Sequence, residues 1–292
     1  MLEINKVTKI YDNNVTAISN IDFMAEKGIL NIIGPTAAGK TTLIKIITGL
    51  ETPTFGEIIF NSNKLAESTK HNLKKIGYMP QIFDFYKNIS AEALLDYIAV
   101  LRGFNSGIQR KSLVEEVVEA VHLNDFRHIP IGEYSFGMKR RLGIAQALLG
   151  NPEYIILDEP FHGLDPVERT RVISLLVRIA NKRLVIVSSN SLEDVAYCAS
   201  MLLVLCNGSM VYQGTGEQLK KRIEGKVWIL DMDDFSLEEI RLKYRVVGVQ
   251  QINGKLAAKI LSSTKPFEQA YLCDVRLEDG YLALMDIGVR ND

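Results

Sequence analysis

The chain has 292 residues, enough for one large domain and a small second one with a buried core. Its 34 basic and 35 acidic residues nearly cancel, and no basic run is longer than the KRR at 139–141, so we expect no nucleic acid partner. Three cysteines in no metal-like spacing, Cys198, Cys206 and Cys273, argue against a disulfide framework and favour a reducing compartment.

The sequence predicts neither a signal peptide nor a membrane-spanning helix. The first twelve residues carry charges where a signal peptide needs an apolar core. The longest uncharged apolar stretch, at 195–206, has 12 residues, whereas a membrane helix requires roughly 20. If the protein works at a membrane, another chain must do the spanning.

Strands and helices alternate through much of the chain. The apolar run GILNIIG at 28–34 predicts a strand, and the apolar spacing at 41–50 predicts the helix that follows it. Three further strand-like runs lie at 154–160, 183–189 and 201–208, with a helix between the first two. This alternation predicts a parallel sheet covered on both faces by helices.

Two other regions differ in pattern. About 88–150 is nearly continuous helix, which predicts a helical subdomain. After a polar stretch, 225–292 contains strand-like runs joined by Asn253-Gly254, a strong hairpin signal. We therefore expect a main domain over 1–220 and a small α+β accessory domain over 225–292.

A phosphate-binding loop is predicted at 34–42, where GPTAAGKTT lies between a strand and a helix. Its backbone amides and the helix N-terminus favour a triphosphate, Lys40 would reach the β- and γ-phosphates, and Thr41 would ligate Mg²⁺. The alternative is a glycine-rich turn with no ligand. The predicted nucleotide contacts are Gly34, Pro35, Thr36, Ala37, Ala38, Gly39, Lys40, Thr41 and Thr42.

One loop position departs from the usual pattern, because Ala37 stands where glycine is often found. If that position needs a positive φ, alanine costs about 1–2 kcal/mol there. Such a cost would strain the loop without abolishing it.

Two carboxylates end the predicted strand YIILDEP at 154–160. Ligands bind at the carboxyl ends of strands in such sheets, so Asp158 can hold Mg²⁺ and Glu159 can accept a proton from an attacking water. A lone Asp-Glu pair after a strand is more often a solvated loop. The upstream phosphate loop reverses that preference.

With these two motifs in place, the stretch YSFGMKRRLGIAQALLGNP at 134–152, followed by YIILDEP and HGLDP, resembles the signature region of ABC ATPases. The resemblance covers about residues 1–220. It implies a P-loop NTPase fold with a parallel α/β core, an antiparallel β subdomain and a helical signature subdomain. The region 225–292 resembles the small tail domain of ABC-2-type exporter ATPases.

The resemblance also assigns roles to single residues. Tyr11 matches the aromatic residue that stacks on adenine, and Gln81 matches the glutamine that contacts metal or water. Asp165 matches the D-loop, and Ser135 and Gly137 match signature residues that contact the γ-phosphate held by the opposite subunit. Phe83, Phe85 and Tyr86 either belong to the core or face a membrane subunit.

Two positions depart from the family pattern. Phe136 replaces a signature glycine, and Asn190 stands where the family has a switch histidine. An amide donates a weaker hydrogen bond than a charged imidazole, so we predict weakened hydrolysis with binding largely kept. A phenyl ring at 136 must turn away from the nucleotide or crowd the dimer interface, so we expect slower dimer closure.

The sequence thus predicts the ATP-binding and hydrolysing subunit of an ABC transporter, with ATP and Mg²⁺ as cofactors. It would power export through a separate transmembrane permease, as a homodimer or with a second ATPase subunit, on the cytoplasmic face of the membrane. An importer remains possible. The alternative is a regulatory or degenerate subunit with little ATPase activity of its own.

Overall fold

The structure is a computed structural model that describes residues 1–61, 63–65, 75–82, 84–194, 201–232 and 236–285. The chain divides into two compact units, Met1–Gln213 and Gly214–Asp292. Phe83 and Cys198 lie outside the described residues, and Cys206 and Cys273 are free thiols. In the described part of the chain, every helix is too short or too polar to cross a membrane.

The strands of the first unit form two sheets. Their bounds are β1 (Leu2–Ile10), β2 (Thr16–Ala25), β3 (Gly28–Ile33), β4 (Phe55–Phe60), β5 (Asn63–Lys64), β6 (Ile76–Met79), β7 (Tyr154–Asp158), β8 (Leu184–Ser189), β9 (Met201–Cys206) and β10 (Ser209–Gly214). An antiparallel sheet has the order β2-β1-β4-β5, and a six-stranded sheet has the order β10-β9-β3-β8-β7-β6.

The six-stranded sheet confirms the predicted parallel core. Strand β3 pairs in parallel with β8 and β9, and β7 pairs in parallel with β6 and β8. Because parallel strands end at the same edge, the residues that follow β3, β7 and β8 meet there. In the β7–β8 register Asp158 lies opposite Ser188.

The described residues of the first unit form five α-helices that pack on this sheet and on one another. They are α1 (Lys40–Ile47), α2 (Ala91–Leu101), α3 (Gly107–Ala120), α4 (Phe136–Leu148) and α5 (Pro166–Ala180). Successive residues of β7 face opposite sides, so Ile155 and Leu157 pack with the cluster of α2 to α5, while Tyr154 and Ile156 pack with α1 and the antiparallel sheet. Because both faces of the sheet are buried, the strands are held firmly in place, and so are the residues that follow their carboxyl ends.

The second unit contains a separate antiparallel sheet in the order β12-β13-β11-β14. Its elements are α6 (Gly216–Ile223), β11 (Val227–Asp231), α7 (Leu237–Lys243), β12 (Arg245–Ile252), β13 (Lys255–Leu261), β14 (Tyr271–Leu272) and α8 (Leu277–Met285). The predicted hairpin is present: Asn253 (φ 50°) and Gly254 (φ 84°) form the turn that pairs Ile252 with Lys255.

Candidate functional site

The loop between β3 and α1 borders a cavity of about 540 Å³. Ala37 adopts φ 64°, which meets the condition for strain stated above and corresponds to about 1–2 kcal/mol. The lining residues are Tyr11, Val15, Thr16, Ala17, Thr36, Ala37, Ala38, Gly39, Lys40, Thr41, Thr42, Gln81, Glu159, Asn190, Asn207 and Gly208. The phosphate loop, Gln81, Glu159 and Asn190 therefore share one cleft.

Lys40 is the buried cation of this cleft. Its Nζ donates to the carbonyl oxygens of Gly34 at 2.7 Å and Pro35 at 2.9 Å, and to Asn190 Oδ1 at 2.5 Å. Burial lowers the pKa of Lys40, and the nearby charges of Glu159 and Asp158 oppose that effect. The ammonium group is thus fixed in a carbonyl-lined position at the start of α1.

Glu159 receives two amide hydrogen bonds. Gln81 Nε2 donates to its Oε2 at 3.0 Å, and Asn190 Nδ2 donates to its Oε1 at 2.5 Å. The Glu159 backbone has φ 51°, and its N–H donates to Ser188 Oγ at 2.9 Å. Asn190 therefore links the lysine of the phosphate loop to the carboxylate that ends β7.

Asp158 is 1% exposed and lies one residue before Glu159. Its Oδ1 accepts a short hydrogen bond from Ser188 Oγ, whereas Oδ2 has no hydrogen-bond partner among the described residues. Burial raises the pKa of Asp158, and hydrogen bonds from the Ser188 and Thr41 hydroxyls oppose the rise. A buried carboxylate oxygen without a donor beside a threonine hydroxyl fits a site for Mg²⁺, which prefers oxygen ligands.

Tyr11 lies at the rim of the cleft, 36% exposed. Its hydroxyl donates to Glu51 Oε2 at 2.8 Å, and Lys9 Nζ lies 5.3 Å from the ring centroid. These contacts orient the ring from its phenol end and leave it part of the cavity wall.

The predicted signature residues lie outside this cavity, at the start of α4. Ser135 is the N-cap and accepts a hydrogen bond from Met138 N at 3.2 Å. Gly137 packs so closely on Glu168 that a Cβ atom there would lie 2.1 Å from Glu168 Oε2. The capping bond uses only an acceptor lone pair, so the Ser135 hydroxyl proton stays available for another ligand.

The Phe136 ring packs within its own chain. The centroid of the Phe136 ring lies 6.2 Å from the centroid of the His162 ring and 5.6 Å from Cζ of the Arg140 guanidinium. Gly163, at φ 74°, makes room for the ring, since a Cβ atom there would lie 2.4 Å from Phe136 Cε1. The ring is still 56% exposed at the start of α4.

Asp165 also lies outside the cavity and caps α5. Its Oδ1 accepts hydrogen bonds from Val167 N at 2.8 Å and Glu168 N at 2.9 Å. Thus Asp165, Ser135 and Gly137 lie at two neighbouring helix starts, and Glu168 of one helix contacts Gly137 of the other.

Sequence reasoning missed several groups of this site, including Val15, Thr16 and Ala17 on the cavity wall. Ser188 bonds both Asp158 and the Glu159 main chain, and its signal was a polar residue at the end of a buried strand. The turn of Asn207 and Gly208 closes one wall, where Gly208 N donates to Ala38 O at 3.2 Å. That contact joins segments far apart in sequence, so no local pattern marks it.

Comparison with known proteins shows the family of this chain. A family model described as ABC transporter matches residues 18–162. The bacitracin transport ATP-binding protein BcrA of Enterococcus faecalis is 31% identical over 289 residues, which cover 98% of this chain and 84% of that protein. The chain belongs to the ABC transporter family. It is an ATP-binding subunit and an ATPase.

Other relatives agree. The lantibiotic transport ATP-binding protein SrtF of Streptococcus pyogenes is 32% identical over 215 residues, covering 73% of this chain and 90% of that protein. The dimeric ATP-binding cassette MJ0796, solved in a post-hydrolysis state with ADP and Pi, is similar with a TM-score of 0.68 and 25% identity, over 74% of this chain and 98% of that one. The predicted α/β ABC ATPase fold is therefore confirmed.

Proposed function

We propose that this subunit hydrolyses Mg²⁺-bound ATP at composite sites between two ATPase subunits and so powers export through a separate transmembrane permease. In this proposal the main domain, residues 1–220, carries the chemistry, and 225–292 is accessory. The second ATPase subunit is either another copy of this chain or a different one. The complex would lie on the inner face of the cell membrane.

The observation that carries this proposal is the set of hydrogen bonds around Glu159. A carboxylate fixed by two amides at the end of β7 lies next to the phosphate loop, linked through Asn190 to Lys40. A general base must stand within reach of the water that attacks the γ-phosphate. This position suits Glu159 for that role, with Gln81 and Asn190 orienting it.

The remaining residues of the cleft serve binding. The backbone of 34–42 and Lys40 bind the phosphates, and the Tyr11 ring stacks on adenine. Asp158, Thr41 and Gln81 would hold Mg²⁺, which when bound neutralises charge on the phosphate oxygens. Among the described residues, no cluster of three or more His, Cys, Asp or Glu side chains could hold a metal ion.

The starts of α4 and α5 support the composite site. Ser135 and Asp165 are exposed, with Gly137 buried against Glu168, and all three lie outside the cleft of their own phosphate loop, as expected for helix starts that act on the nucleotide of a facing subunit. A helix N-terminus with a free hydroxyl proton is suited to a γ-phosphate. The similar cassette MJ0796 is a dimer, which supports the pairing of two ATPase subunits in this proposal.

The segment after Gln81 is suited to contact the permease. Ile82 and Tyr86 are 87% and 74% exposed, whereas Phe85 packs against the helical core. Large exposed apolar side chains next to the catalytic glutamine are the kind of surface that a partner chain covers. A movement of the partner would then reach Gln81 directly.

The names of the relatives suggest the cargo. They include bacitracin transport, lantibiotic transport and, in Bacillus subtilis, linearmycin resistance. We propose that this chain likewise powers export of an antimicrobial peptide or a similar antibiotic. A strain that lacks the gene should become more sensitive to such compounds, and unchanged sensitivity to the whole class would contradict this part of the proposal.

A panel of variants of the full chain, alone and with its permease, tests the catalytic roles. We expect Glu159→Gln to lose at least about 100-fold in kcat while it still binds ATP, because the base is lost and the loop is kept. Lys40→Ala should lose ATP binding. Asn190→His should raise kcat by more than it changes the Kd for ATP, since imidazole offers a stronger donor.

Background turnover in the parent chain in both states, with ATP still bound, would favour the regulatory alternative. Full ATP affinity in Lys40→Ala would count against the assignment of the cleft itself. The double variant Lys40→Ala with Glu159→Gln is the matched control, since it should neither bind nor hydrolyse ATP.

A further inference from the structure

Arg140 is a buried cation that the proposed chemistry does not use. It lies on α4 and is 3% exposed. Its Nη1 donates to the main-chain carbonyl oxygen of Gln81 at 2.8 Å, across 59 residues of sequence. One face of its guanidinium lies over the Phe136 ring, four residues earlier on the same side of the helix.

The surroundings of Arg140 place it close to the catalytic carboxylates. Burial lowers its pKa, and the charges of Glu159 and then Asp158 oppose that effect. Arginine keeps its charge under such conditions. The positive charge of Arg140 on α4 is therefore close enough to both carboxylates to interact with them.

The segment that Arg140 binds lies at the protein surface. Gln81 and Ile82 are exposed, and Gln81 uses its side chain to bond Glu159. A hydrogen bond from a rigid, buried donor to the Gln81 carbonyl fixes the main chain from which that side chain extends. Because the guanidinium is planar and also contacts the Phe136 ring, the directions in which its N–H groups can point are restricted.

We propose that Arg140 is a positioning residue for ATP hydrolysis, which fixes the Gln81 main chain so that the Gln81 amide reaches Glu159. The Phe136 ring, by stacking on Arg140, connects the start of α4 to this arrangement within one chain. The inference rests on the proposed catalytic roles of Gln81 and Glu159. It assigns Arg140 no contact with nucleotide.

The first test compares kinetics of the full chain and its variants. We expect Arg140→Met to lower kcat by about tenfold and to change the Kd for ATP by less than about twofold, since the residue acts after binding. Arg140→Lys keeps the charge without the planar fork and should recover part of the loss. In a Gln81→Ala background, Arg140→Met should cause no further loss, because the group it positions is gone.

The neighbouring Arg141 offers a matched control. It is also buried, but it donates to the carbonyl oxygens of Val121 and His122 and pairs with Glu168 at 3.1 Å. If Arg141→Met lowers kcat, its effect should be independent of Gln81. The fold-losses of Arg141→Met and Gln81→Ala should therefore multiply in the double variant. If the Arg140→Met loss also multiplies, Arg140 acts through stability alone and the inference is wrong.

The second test needs no ATPase activity, so it separates this inference from the proposed function. Hydrogen exchange of the full chain measures how fast the backbone amides exchange in the peptide that contains Gln81. We expect its exchange to quicken in Arg140→Met and to stay unchanged in Arg141→Met. Equal exchange in both variants would overturn the inference even if the protein hydrolyses ATP, whereas a difference in a protein that does not hydrolyse ATP would refute only the proposed function.

Discussion

At the scale of single residues, Asp158 is a buried carboxylate, next in sequence to the cleft residue Glu159, that works against stability. Asp158 has one oxygen bonded to Ser188 and another without a donor among the described residues. Burial raises its pKa above the ordinary value of 3.8. Residues kept for chemistry often lower stability in this way.

We therefore expect Asp158→Asn to stabilise the protein without nucleotide at pH 7, by about 1–3 kcal/mol, because a poorly solvated charge is removed. A raised pKa means that the folded state binds the proton more tightly, so the free energy of unfolding falls as pH rises from 3.8 through the higher folded value. The advantage of the variant over the parent should thus shrink at pH values near 4. Denaturant unfolding at several pH values measures it.

ATP should stabilise the parent protein more strongly when Mg²⁺ is added, and Asp158→Asn should lose this Mg²⁺-dependent increase in stability. Asp194→Asn is the control, since Asp194 is also buried with a raised pKa but interacts with Ser189 and Arg169 instead of the phosphate loop. If Asp158→Asn destabilises at pH 7, or keeps its Mg²⁺-dependent shift, this account of Asp158 is wrong.

At the scale of elements, the starts of α4 and α5 depend on each other. Gly137 of α4 faces Glu168 of α5, whose Oε1 is paired with Arg141 Nη2 at 3.1 Å. The carboxylate cannot easily move away because that ion pair is largely buried. The two helix starts proposed to face the partner subunit are thus packed as one unit.

We expect Gly137→Ala to destabilise the chain by about 1–3 kcal/mol, because the new methyl group overlaps Glu168. Gly107→Ala is the matched control, also at a helix start, where a Cβ atom meets only the end of Arg110 at 4.0 Å. That control should change stability little or raise it by about 0.5–1 kcal/mol. Equal midpoints of denaturant unfolding for the two variants would contradict this packing argument.

How far the sequence predicts these elements depends on whether the signal is local. The strand and helix on either side of the predicted phosphate loop, the strand that ends at Asp158 and the Asn253-Gly254 turn each carry their pattern within a few residues, and the structure confirms these elements. The roles of Ser188 and Arg140 arise from contacts across 30 and 59 residues. Such contacts cannot be predicted until the strand order and the helix packing are known.

Phe136 shows the same limit from the other direction. Its position in the signature was clear, but the direction of its ring depends on Gly163 and His162, which belong to another element. The effect of the ring on dimer closure stays a prediction.

At the scale of the whole molecule, every residue of the proposed site lies in the unit Met1–Gln213. We expect a fragment of residues 1–213 to fold and to bind ATP with an affinity within about threefold of the full chain, since nucleotide contacts are unchanged. Calorimetry of the fragment, with and without ATP, measures this. A fragment that does not unfold cooperatively would show that the second unit is needed for the fold.

The position of the domain boundary also stays a prediction, and it depends on the domain to which α6 belongs. Comparing fragments that end at 213 and at 224 tests whether Gly216–Ile223 belongs with the first unit. If the longer fragment is the more stable by at least about 1 kcal/mol, the helix contributes to the ATPase domain, whereas equal stability assigns it to the second.

The three hydrogen bonds of Lys40 have a consequence for how ATP is recognised. An ammonium group has three N–H donors, and the acceptors on Gly34, Pro35 and Asn190 match them one for one. A phosphate oxygen that reaches Lys40 must therefore displace one of the protein's own acceptors. The contribution of Lys40 to ATP affinity is therefore the difference between two hydrogen bonds: the one that it forms with the phosphate and the one that it gives up within the protein.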